Sequence, residues 1–361
     1  MRRVLFVDDE PNILEGLRNL LHRQRRKWEM LFVQSGREAL KVLARQPIDV
    51  IVSDMRMPEM DGATLLKKAQ ELYPRSVRIV LSGHSELEAA MRAVPVAHQF
   101  LSKPCPPGVI ENVVERACNL QSLMSEEAVR RIVGRIGNLP TLPRVYSRLT
   151  AALSKDTVSA SDIARILKQD MAICAKTLQM VNSAFFRLQR TISGIEEAVA
   201  YLGFNAIKQI VLAVEVFRNS HPHVQPKISL DALQAHALLV ADLASSLQTE
   251  KRKKEDAFVA GLLHDIGKLV LAVELPEHFD KTILEMKNRG CSMCAAEQRV
   301  SGVTHAEVGG YLLGLWGLPY PIVEAVANHH VPSRVDAKEF GILATTHIAN
   351  ALVHDELSSL A

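Results

Sequence analysis

Two groups of side chains in this 361-residue sequence have the composition of reactive sites. The first combines acids, a hydroxyl and an amine: Asp8, Asp9, Asp54, Ser82 and Lys103. Three carboxylates brought together repel one another unless a cation neutralises them. Hard oxygen ligands in an incomplete protein shell suit Mg²⁺, with phosphate oxygens and waters completing the octahedron. Acids and serines also cap helices, which accounts for one or two of the five and poorly for all. The second group is rich in imidazole: His236, the adjacent pair His264 and Asp265, then His305, His329 and His330, with Lys268 one turn beyond the pair. Imidazole and carboxylate suit Zn, Mn, Fe or Ni, and a metal held there generates hydroxide or polarises a phosphoryl group. A lone histidine is ordinarily a hydrogen-bonded core or surface residue, so the weight lies on the set.

The elements that must position the first group are short apolar runs alternating with helical patterns. "RVLFVDD", "MLFVQS", "DVIVSD", "VRIVLSG" and "HQFLSK" read as strands, and "NILEGLRNLLH" and "GATLLKKAQELY" as helices between them. Continuous apolar strands alternating with helices imply a parallel sheet covered on both faces, in a doubly wound order. Asp8 and Asp9 end the first strand, Asp54 the third and Ser82 the fourth, and Lys103 follows the fifth. Parallel sheets bind ligands beyond the carboxyl ends of their strands, so all five groups are expected at one rim.

At this point "VDDE" (Val7 to Glu10), "SDMRMPEMDG" (Ser53 to Gly62), "LSG" (Leu81 to Gly83) and "FLSKP" (Phe100 to Pro104) resemble the receiver domain of two-component response regulators. The resemblance implies a flavodoxin-like, five-stranded α/β fold over residues 1–120. It implies that Asp54 is the phosphoacceptor, taking a phosphoryl group from a sensor histidine kinase to form an acyl phosphate. Asp8, Asp9, Asp54 and the backbone carbonyl of Arg56 would hold Mg²⁺. Lys103 would meet the phosphoryl oxygens, Ser82 would hydrogen-bond them, and Phe100 would rotate inward as an aromatic switch. The added charge would bias the surface of the fourth helix, fifth strand and fifth helix.

Residues 121–138 form a connector. The stretch from Pro106 carries apolar residues at helical intervals (Val109, Val113, Ala117, Leu120, Met124, Ala128 and Ile132). They serve either a signalling helix that pairs with a second copy, giving a homodimer, or a last receiver helix packed on its own sheet.

Beyond the connector the strand alternation disappears, and apolar residues recur at three- and four-residue steps. Several segments are apolar nearly all round, as in helices buried within a bundle. "LPTLPRVYSRL" (Leu139 to Leu149), "NSAFF", "AVAYLGF" and "GLLHDIGKLVL" together resemble the HDOD family, helical output modules related to HD phosphohydrolases and generally regarded as non-catalytic. The resemblance implies an all-α, HD-like bundle over 139–361, with an N-terminal part at 139–225 and the HD-like part at 226–361. His264 and Asp265 read as lying on one buried helix.

Compared with HD phosphohydrolases, the histidines fall in ligand order, and Lys268 matches a phosphate-contacting lysine of the branch that cleaves cyclic dinucleotides. Two departures weigh against turnover. Asn350 stands where the hydrolases place a metal-binding aspartate, and "HHVPSRVDA" lacks the glycine-tyrosine-proline signature. The leading expectation is therefore a response regulator whose HDOD module binds a downstream signalling protein. The alternative is a phosphorylation-regulated, metal-dependent phosphohydrolase of a cyclic dinucleotide or nucleotide.

Composition agrees with a cytoplasmic signalling protein and adds little else. The net charge is +3 with 48% hydrophobic and 23% charged residues. "RQRRKW" and "KRKKED" are the dense basic runs, and neither sits in a DNA-binding motif. No apolar stretch reaches membrane-spanning length, and no signal peptide is visible. The five cysteines are scattered, as expected of free thiols in a reducing compartment. Cys291 and Cys294 form a lone C-x-x-C without the second pair that a tetrahedral zinc site needs.

Overall fold

The computed structural model describes all residues except 84–91, 124–126, 137–138, 155–156, 187, 221–228, 337–339 and 360–361. It comprises two compact units, Met1–Gly137 with Asn182–Gln189, and Asn138–Val181 with Arg190–Ala361.

The first unit is built on a parallel sheet of β1 (Arg2–Val7), β2 (Trp28–Val33), β3 (Val50–Asp54), β4 (Val77–Gly83) and β5 (Gln99–Lys103), in the order β2-β1-β3-β4-β5. Val4, Leu5, Phe6, Val50, Ile51, Ile79 and Val80 are fully buried, so the central strands are covered on both faces. The helices are α1 (Pro11–Leu20), α2 (Gly36–Arg45), α3 (Gly62–Leu72), α4 (Pro107–Leu123) and α5 (Glu127–Arg135). Between β4 and β5, residues 84–91 lie outside the described residues, and with them the fourth receiver helix of the expected output surface.

The connector is two helices, α4 and α5, with residues 124–126 between them outside the described set. Val129, Ile132 and Val133 of α5 are buried. The Gln70 side chain of α3 donates to the Arg135 carbonyl at 2.9 Å. At α5 the apolar stripe is thus used within its own unit.

The second unit is helical: α6 (Pro143–Leu153), α7 (Ala160–Leu167), α8 (Met171–Val181), α9 (Ile195–Ser220), α10 (Leu230–Ser246), α11 (Lys251–Leu263), α12 (Ile266–Glu274), α13 (Pro276–Arg289), α14 (Met293–Val300), α15 (His305–Leu315), α16 (Tyr320–Asn328) and α17 (Ile342–Ser359). Every residue of α8 is buried, which is why its sequence shows no polar face. Asp170 ties the proline-flanked "LPTLP" segment to the start of α8. Its carboxylate accepts from the backbone N–H of Leu142 (2.7 Å), Ala172 (2.9 Å) and Ile173 (3.0 Å). Burial pushes this carboxyl up to about 6 against those three donors. Gly203 leaves helical geometry (φ 75°) and breaks the run 195–220 within "LGF". Among the described residues no helix is long and apolar enough to cross a membrane, and all five cysteines are free thiols.

Candidate functional site

At the rim of the sheet, register brings the acidic group together. Val7 pairs with Ser53, Asp54 with Leu81, and Ser82 with Ser102. The residues that follow or end these strands therefore share one edge. Lys103 places its ammonium between two carboxylates, 2.7 Å from Asp8 Oδ2 and in contact with Asp54 Oδ1. The remaining oxygens are held by the backbone: Glu10 N–H donates to Asp8 Oδ1 (3.1 Å) and Arg56 N–H to Asp54 Oδ2 (2.7 Å). Gly62 is required here, because a Cβ on it would lie 2.1 Å from the Asp54 carbonyl oxygen.

Burial raises the Asp54 carboxyl above its ordinary value, and the hydrogen bond and charge of Lys103 pull it back only in part. Burial lowers Lys103, but its bonds to Asp54 and Asp8 outweigh that and raise it. The ammonium is thus a positive charge in contact with the raised Asp54 carboxylate. Ser82 is fully buried at the end of β4. Asp9 is half-buried. Among the described residues it forms no hydrogen bond or ion pair, so its oxygens are open to a ligand. Phe100 is already fully buried in β5, the inward setting that the sequence expectation reserved for the phosphorylated state.

The imidazole group gathers in the second unit from five elements. His236 comes from α10, His264 and Asp265 from the joint between α11 and α12, His305 from the first position of α15, His329 and His330 from the end of α16, and Asn350 from α17. The His-Asp pair was expected on one continuous helix, but the chain turns there. Asp265 leaves helical geometry (φ −99°, ψ 9°), ending one helix and opening the next. The turn sends both side chains inward. Gly267 then lets α12 meet α15, since a Cβ there would lie 1.9 Å from the His305 carbonyl oxygen.

Asp265 is the hub. Its Oδ1 lies 3.2 Å from His305 Nε2 and 3.9 Å from His329 Nε2. Its Oδ2 lies 2.6 Å from Lys268 Nζ, 3.4 Å from His264 Nε2 and 3.9 Å from His236 Nε2. His330 Nε2 is 3.0 Å from His305 Nε2. Three sets of donors result among the described residues, each within 4.8 Å of one another: Asp265, His305, His329 and His330; Asp265, His236 and His264; and Cys294, Glu297 and His305.

Ring protons are fixed by the partners of Nδ1. His264 Nδ1 faces the Gly261 carbonyl (2.6 Å), His329 Nδ1 the Val326 carbonyl (2.8 Å) and His305 Nδ1 the Glu297 carboxylate (2.8 Å). These oxygens accept, so each Nδ1 donates its proton outward and each ring turns its Nε2 inward. His264 Nε2, His329 Nε2 and Asp265 Oδ1 are buried without a hydrogen-bond partner. Buried polar atoms are rarely left so.

The electrostatics match a cation site. Burial and the neighbouring His264 keep His236 down at about 4, and burial and His305 keep His330 down at about 3. Burial and His264 likewise hold His329 well below its ordinary value. Burial works against ionising Asp265, yet His264 and Lys268 hold it well below the carboxylate range. Burial lowers His305, but Glu297 and Asp265 outweigh it and raise the ring. A proton on His305 would satisfy its contact with Asp265, but it would leave the Nε2 atoms of His264 and His329 bare. A transition metal with bonds of about 2.1 Å holds neighbouring donors roughly 3.0–3.4 Å apart. The 3.0 and 3.2 Å separations here have that spacing. The donor set fits Zn, Fe, Mn or Ni.

Two residues of this pocket escaped the sequence reading. Glu297 is buried on α14 and accepts both the ring and the backbone N–H of His305 (2.8 and 2.9 Å). His347 on α17 directs Nδ1 to the His329 carbonyl at 2.7 Å. Asn350, the departure noted in the sequence, pairs with His236 Nε2 at 3.0 Å.

Two family models match the chain. The family model for the response regulator receiver domain matches residues 4–115, and that for the HDOD domain matches 139–332. An uncharacterized protein of Treponema pallidum is 26% identical over 67% of this chain and 47% of its own. The hydrogenase transcriptional regulatory protein HoxA of Cupriavidus necator is 38% identical over 34% of this chain and 25% of its own. The chain thus spans less than half the length of either relative. Among solved structures, the MmoQ response regulator of Methylococcus capsulatus has the same fold with a TM-score of 0.51 at 21% identity, over 62% of this chain and 88% of that one.

Proposed function

Because this chain belongs to the HDOD family and carries a response regulator receiver domain in its first third, we propose that it works as a phosphorylation-controlled switch. Asp54 accepts a phosphoryl group from the phosphohistidine of a sensor kinase. An Asp54 oxygen attacks phosphorus, the new O–P bond forms as the N–P bond breaks, and the electron pair leaves with the imidazole nitrogen. The observation that carries this reading is the Lys103 ammonium spanning Asp8 and Asp54. It neutralises the buried nucleophile before transfer and meets the extra negative charge after it. Asp8, Asp9, Asp54 and the Arg56 carbonyl would hold Mg²⁺, which when bound adds charge neutralisation for the phosphoryl oxygens. Ser82, at the end of the adjacent strand, supplies a hydroxyl for the transferred group. The reading sets this work in the cytoplasm, and the HDOD module delivers the output by binding a downstream signalling protein.

Incubation with acetyl phosphate and Mg²⁺, read by intact mass, tests the switch. We expect one added phosphoryl group in the wild type and none in Asp54→Asn. Capture of partners with and without beryllofluoride then tests the output.

A second reading is favoured by one observation, the bare, buried Nε2 atoms around Asp265. In this reading the helical unit holds a transition metal on its histidines and Asp265. Such an ion, when bound, supplies Lewis-acid chemistry suited to phosphate esters, and Lys268 would offer a charge to a phosphate oxygen. Metal analysis of the purified protein tests the binding. Assay of cyclic dinucleotides with His264→Ala and Asp265→Ala tests turnover, and the neutral Asn350 weighs against it.

A further inference from the structure

We infer that the helical unit holds a single transition-metal ion on Asp265 Oδ1, His305, His329 and His330, that Glu297 positions His305 for it, and that the adjoining His236–His264 side stays metal-free. This rests on the metal reading of the pocket and goes beyond it by assigning the number of ions, their place and a supporting carboxylate.

The two faces of Asp265 are not equivalent. On the Oδ1 face, His305, His329 and His330 present Nε2 atoms. His305 Nε2 lies 3.2 Å from the carboxylate oxygen and 3.0 Å from its His330 counterpart. Lone pairs that face one another and an anion at these separations need a positive centre among them; a proton on His305 answers Oδ1 and His330 but leaves His329 Nε2 without a partner, and no ammonium or guanidinium of the described residues bonds to Oδ1. On the Oδ2 face the chain supplies its own cation, the Lys268 ammonium at 2.6 Å. A metal ion entering there would be repelled by that ammonium. His236 Nε2 is engaged at 3.0 Å by the Asn350 carboxamide, which carries no charge in either orientation. Only His264 Nε2 is left bare on that side, and one imidazole does not hold an ion alone.

Glu297 is the third part of the inference. One of its oxygens takes both the ring and backbone N–H of His305, which locks the ring's rotation and its tautomer. It also lends the ring negative charge, so Nε2 becomes a stronger donor. Carboxylates that hold a ligating histidine in this way change metal affinity by roughly 10–100-fold when removed. Glu297 does this from behind the ring, as a positioning residue and not as a ligand.

The test uses the full chain, stripped with a chelator and titrated with Zn²⁺ and Co²⁺. Bound metal is counted by mass spectrometry, and the Co²⁺ absorption bands report ligand type. One equivalent is expected in the wild type. His329→Gln should lose the ion while His264→Gln keeps it, with melting of the metal-free forms confirming that both fold. Glu297→Gln should weaken Co²⁺ binding by roughly 10–100-fold and shift its bands. Lys268→Met combined with Asn350→Asp should admit a second equivalent. Two equivalents in the wild type or equal losses in the two histidine variants would overturn the single-ion assignment while leaving the metal reading intact, and no second equivalent in the double variant would overturn the role given to Lys268 and Asn350 in keeping the other side empty. A sulfur-to-metal charge-transfer band would move the ion to Cys294, beside Glu297, and overturn it too. Unchanged affinity in Glu297→Gln would remove the positioning role. No bound metal at all would instead sink the metal reading itself.

Discussion

The two polar clusters of this chain both centre on a buried aspartate that contacts a lysine, and they solve the same electrostatic problem to different degrees. At the sheet rim, Lys103 spans Asp8 and Asp54, and backbone N–H groups hold the remaining oxygens of that pair. In the helical unit, Lys268 answers only one face of Asp265, and the other face meets the Nε2 atoms of His305 and His329, the latter without a hydrogen-bond partner. A buried charge that the chain itself neutralises can wait for a transient modification. A cluster left short of positive charge points to a resident ion. In the proposed function, the difference separates a site rewritten during signalling from one that keeps an ion.

Four experiments would break or sharpen this contrast. The largest effect belongs to Asp54→Asn, which should abolish phosphorylation by acetyl phosphate, read by intact mass, and leave metal content unchanged. Next comes metal removal. A hundredfold excess of ion over its dissociation constant stabilises a fold by about 2.7 kcal/mol. Chelation should therefore lower the melting of the helical unit by roughly 5–10 °C, with the receiver unaffected in a calorimetric scan. Third, Gly62→Ala and Gly267→Ala each force a Cβ into a carbonyl oxygen, of Asp54 and of His305 respectively. Each should cost about 1–3 kcal/mol in urea titrations. The first should slow phosphorylation and the second should weaken Co²⁺ binding, with neither doing the other's damage.

The smallest effect is at helix caps. Ser35 accepts from Glu38 N–H (3.2 Å) and Thr304 from Glu307 N–H (3.3 Å). Replacement of either by Ala should cost about 1 kcal/mol. Only Thr304→Ala should also disturb metal binding, because the capped helix begins at His305.

The rim was legible because its logic is linear. Asp8, Asp54, Ser82 and Lys103 each sit at or just past the end of an apolar run, and parallel pairing turns that into proximity. The helical pocket was legible only as a set of residue types. Nothing local marks the turn at His264 and Asp265, where the sequence is apolar on both sides and carries no proline. The break follows from packing: Gly267 against the start of α15 fixes where α12 must begin. Glu297 and His347 could not be found from spacing, because their partners lie on other helices and no motif includes them. Asn350 stood out as a substitution, but its pairing with His236 depends on how α10 and α17 cross.

The most direct test of the central claim is native mass spectrometry of the full chain after acetyl phosphate, Mg²⁺ and Zn²⁺, with Asp54→Asn alongside. The expected result is a wild-type chain carrying one phosphoryl group and one Zn²⁺, and a variant that loses the phosphoryl group alone. A wild type that takes up no phosphoryl group, or a variant that still does, would contradict it.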